Sequence, residues 1–232
     1  MAGRTIAIGD IHGCDAALAA ILEAIAPRRE DVIVTLGDYV DRGPKSRQVI
    51  DRLIGLKDVC TLVPLLGNHE EMMLSVVIDG APPYEWLRHG GVDTLDSYGF
   101  VGDLSVIGQE HRDFLTNLLD GYETPTHLFF HANYDAEAGI GEQPEDLLRW
   151  VKLTEYLPPP HSSGRRVIVG HTHSREGQVV NLQHLICLDT YCYGGGTLTA
   201  MDVDNDLIWQ AGPDGKLVSK QPVPLSDLAP RR

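Results

Sequence analysis

Three times in its first seventy residues this chain runs from an apolar stretch straight into a tight charged turn. RTIAI leads into GDIHG (9–13), VIVTL into GDYVDRG (37–43), and VCTLVPLL into GNHE (67–70). Each turn is followed by helical sequence: DAALAAILEAIA, ended by Pro27; KSRQVIDRLIGL, with Val49, Leu53 and Leu56 at helical spacing; and EMMLSVVI. Successive β-turn-α units of this kind predict an α/β sheet whose polar turns gather at the carboxyl ends of the strands, where such sheets place ligands. Charges so close to a core are costly unless they are paired or hold a metal.

The second half repeats the pattern with histidines. THLFFHANY reads as a strand ending at His131, and RRVIVGHTH as one ending at His171. Between the halves, WLRHGGVDTLDSYG and HRDFLTNLL predict helical insertions around a glycine-rich turn, and residues 135–164 read as loop and helix containing EDLLRWVKL. LICLDT, GTLTAMDV and DLIWQA alternate as antiparallel strands expected to close a second sheet. With 232 residues, 43% of them hydrophobic, residues 1–218 are expected to form a single domain, and the proline-rich segment 219–232 a loose tail.

The formal net charge of −14 argues against a grip on nucleic acid, which needs a basic face. No apolar run reaches eighteen residues, so no membrane span is expected. The N-terminus has no apolar stretch long enough for a secretory signal, and Cys14, Cys60, Cys187 and Cys192 form no CxxC pair. Both features predict a cytoplasmic protein with reduced thiols.

The polar residues that end apolar runs are Asp10, His12, Asp38, Asp41, Arg42, Asn68, His69, His131 and His171. A mixed oxygen and nitrogen set of this kind suits Mn, Fe or Zn rather than Ca or Mg. Six ligands around one central aspartate point to two ions sharing a carboxylate. At a separation of about 3.5–4 Å, such ions clamp both oxygens of an in-line displacement at phosphorus.

In order and spacing, GDIHG, GDYVDRG, GNHE, a strand-end histidine and GHTH resemble the phosphoprotein phosphatase family of the calcineurin-like metallophosphoesterases, over residues 9 to about 173. The stretch WLRHGGVDTLDSYG resembles the small bacterial and phage serine/threonine phosphatases of that family. The resemblance implies a central β-sandwich of two mixed sheets flanked by helices, with a dinuclear site at one edge. It implies two divalent ions, Mn foremost and Fe or Zn as alternatives. Asp10 and His12 would bind the first ion, Asp38 would bridge, and Asn68, His131 and His171 would complete the second. Asp41 would orient His69, the general acid, while a hydroxide between the ions attacks phosphorus. Arg42 would hold phosphate oxygens. A second phosphate-binding arginine is expected, with Arg149 the candidate and Lys152 next. His173 would be a rim residue, and YCYGGG resembles the loop beside the family's active site, with packing the first expectation for Tyr191 and Tyr193 and substrate contact the second; HAN at 131–133 departs from the family's HGG.

The function so implied is a two-metal phosphomonoesterase acting on a phosphorylated protein or a small phosphoester, foremost a protein serine/threonine phosphatase. Bacterial diadenosine tetraphosphate hydrolases share these motifs and give the alternative of a dinucleoside polyphosphate hydrolase. A non-catalytic metal-dependent binding module is the third reading. The His69–Asp41 pair argues against it, because a binder has no need of a leaving-group acid.

Overall fold

The computed structural model describes residues 3–174 and 176–228. The three β-turn-α units form as expected: β1 (Thr5–Ile8), α1 (Asp15–Ile25), β2 (Val32–Thr35), α2 (Ser46–Leu56), β3 (Thr61–Pro64) and α3 (Asn68–Val77). The three strands pair in parallel. An insertion follows. A short helix α4 (Tyr84–Trp86) passes through a wide turn, Leu87–Gly91, into α5 (Val92–Tyr98), and α6 spans Gln109–Thr116. The chain continues through β4 (Tyr122–Glu123), β5 (His127–Phe129), α7 (Glu145–Arg149), β6 (Arg166–Val169), β7 (Val180–Asn181) and β8 (Leu185–Cys187). It ends with β9 (Leu198–Asp202), β10 (Leu207–Ala211) and β11 (Val223–Pro224).

The strands make two mixed sheets, ordered β11-β10-β9-β1-β2-β3 and β4-β5-β6-β8-β7. Strand periodicity fixes how they pack. Ala7, Phe129, Ile168, Ile186 and Met201 point into the core between the sheets. Their neighbours turn the other way: Ile6 and Ile8 pack under the helices of the first sheet, and Leu128, Val167, Val169, Leu185 and Cys187 into the outer face of the second. The sandwich is thus buried on both sides, which is why its strands read as continuous apolar runs.

One expectation is corrected. The three C-terminal alternating segments do not close the second sheet together. LICLDT supplies β8, parallel to β6, whereas β9 and β10 form an antiparallel hairpin that extends the first sheet beside β1. Alternation marks a segment as a strand but carries no information about its partner. All five residues of β9 are buried, which suits the interior of a sheet. Of the segment from 219 expected as a loose tail, Val223 and Pro224 pair with β10, and Leu225 is buried against the inter-sheet core; residues 229–232 lie outside the described residues. No helix among the described residues is long and apolar enough to cross a membrane.

Candidate metal centre

The strand-end turns meet at one edge of the sandwich. Nine non-glycine residues among those described have positive φ, and six belong here: His12, Asp38, Asp41, Arg42, His171 and Tyr191. Left-handed backbone at bulky residues is uncommon and strained, and clusters of it mark sites whose side chains must be aimed against local preference.

Asp38 lies at the centre, buried, with its carboxylate within 3.3 Å of His12 Nε2 and 3.5 Å of His131 Nε2. Two groups of potential ligands share it: His12, Asp38 and His69, and Asp38, His131 and His171. The tautomers follow from the second nitrogen of each ring, because a carbonyl oxygen only accepts. His12 Nδ1–H donates to Val40 O (2.8 Å) and His131 Nδ1–H to Leu36 O (2.7 Å). His171 Nε2–H donates to Trp150 O (3.0 Å). In its neutral form each ring then turns a lone pair, at Nε2, Nε2 and Nδ1 respectively, toward the centre. Asn68 Oδ1, another acceptor, sits 3.1 Å from both His131 Nε2 and His171 Nδ1. Lone pairs facing lone pairs repel unless a cation stands among them, so the donor set fits divalent metal ions.

The ionisable groups perturb one another: burial lowers His12, but its hydrogen bond to Asp38 and the charge of Asp38 carry the ring above its ordinary value. Burial, with the charges of Asp189 and Asp38, raises the Asp10 carboxyl well above its ordinary range. Burial would raise Asp38 too, but the histidines His131, His69 and His12 around it hold it well below the usual range. Burial, then the proximity of His131, pushes His171 down to about 3, which keeps its ring neutral and able to ligate. Asp10 also accepts from the His171 N–H through both oxygens (3.1 and 2.9 Å), so it ties the first turn of the site to the last.

Asp41 is fully buried and accepts from His69 Nδ1–H at 2.7 Å. It also accepts from Trp86 Nε1–H (2.9 Å) and Thr94 Oγ1–H (2.7 Å), both supplied by the α4–α5 insertion. Arg42 is half-buried; its Nη1 donates to the Tyr193 hydroxyl at 2.6 Å and its guanidinium lies 4.6 Å from the Tyr193 ring centre. Next to it, His173 stacks on Tyr191 with ring centres 4.7 Å apart.

The structure thus brings together Asp10, His12, Asp38, Asp41, Arg42, Asn68, His69, His131 and His171. Arg149 behaves otherwise. Expected as a phosphate contact, it instead donates to Glu71 (2.7 Å), Asp120 (2.7 Å) and Glu145 (3.3 Å), so its charge is already matched by three carboxylates. The helix register puts it on the face toward α3. Lys152, three residues on, is exposed, and its charge is near enough to help depress His171. Asn133, which replaces a glycine of the family's HGG, binds the loop beyond α7 through Val151 O (3.3 Å) and Tyr156 O (2.8 Å).

Four residues escaped the sequence reading. Glu70 accepts from the N–H groups of Asp38, Tyr39, Val40 and Gly67 at 2.7–3.2 Å and so shapes the GDYVDRG turn; burial, then the charge on Asp38, pushes its carboxyl up to about 8 against the pull of these amides. Trp86 and Thr94 lie in the WLRHGGVDTLDSYG stretch that carried the resemblance, but nothing local pointed to their partner, Asp41, about fifty positions away. Asp189 did give one: it ends the apolar run LICL as Asp10 ends RTIAI, and it is buried within range of Asp10 and His12.

A family model described as calcineurin-like phosphoesterase matches residues 3–175. The chain belongs to that family. Its relatives include proteins named symmetrical bis(5'-nucleosyl)-tetraphosphatase from Chromohalobacter salexigens, 27% identical over 86% of this chain and 94% of the relative, and from Methylococcus capsulatus, 27% identical over 89% and 94%. A solved structure described as a candidate diadenosine tetraphosphatase superposes with a TM-score of 0.64 at 25% identity, covering 96% of this chain and 94% of that one. A cold-active protein tyrosine phosphatase shares the fold, with a TM-score of 0.68 at 16% identity over 94% of this chain and 78% of that one. As a member of this family the chain is a metal-dependent phosphoric ester hydrolase with a dinuclear divalent site.

Proposed function

We propose that this phosphoesterase hydrolyses dinucleoside polyphosphates, with a tetraphosphate bridge as the preferred substrate and two nucleoside diphosphates as products. The observation that carries the reading is the end-to-end match to relatives bearing the tetraphosphatase name, over 86–89% of this chain and 94% of theirs. The protein phosphatase reading rests on fold-level likeness at 16% identity, which does not reach substrate. The rim supports a nucleotide. The stacked His173–Tyr191 pair offers flat aromatic surface of the kind on which bases stack. Arg42 and the exposed Lys152 place cations on either side of the ligand cluster, as a chain of phosphates requires in a protein of charge −14.

The ligands proposed are Asp10 and His12 for one ion, His131, His171 and Asn68 for the other, and Asp38 for both. When bound, divalent ions supply Lewis-acid charge to phosphoryl oxygens and lower the pKa of water. The chain's own groups do the rest. Arg42, already braced by Tyr193, takes phosphate oxygens in its fork. Water adds to phosphorus as the bond to the leaving oxygen breaks. His69, with Nδ1–H fixed on Asp41, delivers a proton from Nε2 to that oxygen, and the buried Asp41 carboxylate stabilises the imidazolium beforehand.

The test is steady-state hydrolysis by metal-stripped protein with Mn restored, comparing diadenosine tetraphosphate, a phosphoserine peptide and a phosphotyrosine peptide, with products resolved by chromatography. The reading expects the highest kcat/KM for the dinucleotide and ADP as its sole product. Higher kcat/KM for a peptide would restore the protein phosphatase reading, and turnover of none with metal bound would favour a binding module.

A further inference from the structure

Arg149 is nine-tenths buried beside the metal centre yet faces away from it, and its partners show what it holds. One Nη reaches Glu71 on α3, and the other reaches Asp120, next to the bridge that joins Leu119 to Leu65 at the end of β3. The second oxygen of Glu71 accepts from Trp150 Nε1–H at 2.6 Å. Glu71 therefore grips two consecutive residues, Arg149 and Trp150, one with each carboxylate oxygen. The backbone carbonyl of that same Trp150 accepts from His171 Nε2–H at 3.0 Å. Just beyond it, Leu153 N–H donates to Thr172 Oγ1 at 2.9 Å. The path is continuous: Asn68 and His69 open α3 and Glu71 lies one turn on; Glu71 fixes Trp150; Trp150 fixes the ring that must turn its Nδ1 toward Asn68 Oδ1.

We propose that Glu71, Arg149 and the Trp150 indole are positioning residues for one metal only, the ion held by Asn68, His131 and His171. They act through the Trp150 carbonyl, which selects the His171 tautomer. Each bond does specific work. A histidine is set as a ligand by what its other nitrogen donates to, and loss of such a partner typically lowers metal affinity about 10–100-fold. His131 takes its orienting carbonyl from Leu36, directly after β2, and His12 takes its own from Val40 in the GDYVDRG turn, which Glu70 holds through the Val40 N–H. His171 takes its own from a loop after a five-residue helix, which has no sheet to hold it in place. The charged clamp replaces that support. It also accounts for an arginine that is buried beside an anion-binding site and matched by three carboxylates instead of facing substrate.

This inference rests on the two-ion reading of the site, and the experiment separates the two. Mn binding to the full-length protein is measured by calorimetry, and bound metal by elemental analysis, for the wild type, Glu71→Gln and Trp150→Phe. Thermal unfolding of each metal-free variant reports folding independently, and Trp150→Phe removes the indole N–H together with part of the ring system at a residue that is 38% exposed. The expected result is two ions in the wild type and, in both variants, one ion at unchanged affinity and one weakened about 10–100-fold. Arg149→Lys, which keeps charge but loses the fork, should fall between. Two ions at wild-type affinity in both variants, or equal weakening of both ions, would overturn the positioning role. So would a rise in the inhibition constant for inorganic phosphate in Arg149→Lys with metal binding intact, because that result makes Arg149 an anion contact. A wild type that binds fewer than two ions sinks the two-ion reading itself.

Discussion

His69 shows at one residue how the site divides its labour. Its ring is buried, and burial lowers its affinity for a proton, yet Asp41 waits 2.7 Å from Nδ1 to receive the charge. A group arranged so gives up a proton from Nε2 readily. His69→Asn should lower kcat by roughly 10²–10⁴ for an alkyl phosphate, whose leaving oxygen needs the proton. The loss should be smaller for an aryl phosphate or a dinucleoside tetraphosphate, whose leaving groups depart as stable anions. Equal losses on all three, read from steady-state rates, would count against His69 as the acid. Residue identity was legible in the sequence wherever the chemistry is local: a polar side chain that ends an apolar run has few reasons to be there. Arg149 was misplaced because a helix register decides whether a side chain faces the substrate or α3, and five helical residues with mixed neighbours do not declare a register.

At the scale of elements, the strands put the ligands in place and the α4–α5 insertion completes them. The insertion sends Trp86 and Thr94 to Asp41 and lays its turn on Arg42. Gly90, at φ 110°, accepts from the Arg42 N–H, and a Cβ there would fall 2.6 Å from that nitrogen. Gly90→Ala should therefore destabilise the fold by about 1–3 kcal/mol through backbone strain. It should also raise the inhibition constant for inorganic phosphate severalfold by displacing Arg42, with both metals retained. An unchanged phosphate constant would mean that Arg42 does not bind the anion. The β-turn-α units were legible because each carries its own period and its own stop. The pairing of β9 with β1 was not, because it joins segments about 190 residues apart and leaves no mark on either except burial.

At the scale of the molecule, the first sheet depends on a buried anchor at the edge opposite the site. Asp31 is fully buried and accepts from the backbone and side chains of both Arg4 and Arg28, which hold its carboxyl far below the usual range despite burial. A carboxyl depressed in the folded state stabilises above its unfolded pKa, near 4, and that stabilisation is lost as pH falls through the folded value. Asp31→Asn should lower the melting temperature by roughly 3–8 °C at pH 7. The gap between variant and wild type should shrink steadily below pH 4; a constant gap would show that packing, not charge, is what the substitution removes. The sandwich as a whole followed from the family resemblance and from strand-end chemistry, whereas its sheet order required the structure. What the whole molecule builds is a shared carboxylate among converging lone pairs, and Asp38 is where that claim is most exposed. Metal-stripped wild type and Asp38→Asn should be loaded with Mn, desalted and assayed for metal per chain. The account predicts two ions in the wild type and loss of both together in the variant. One ion in the wild type, or a variant that loses only one, would contradict it.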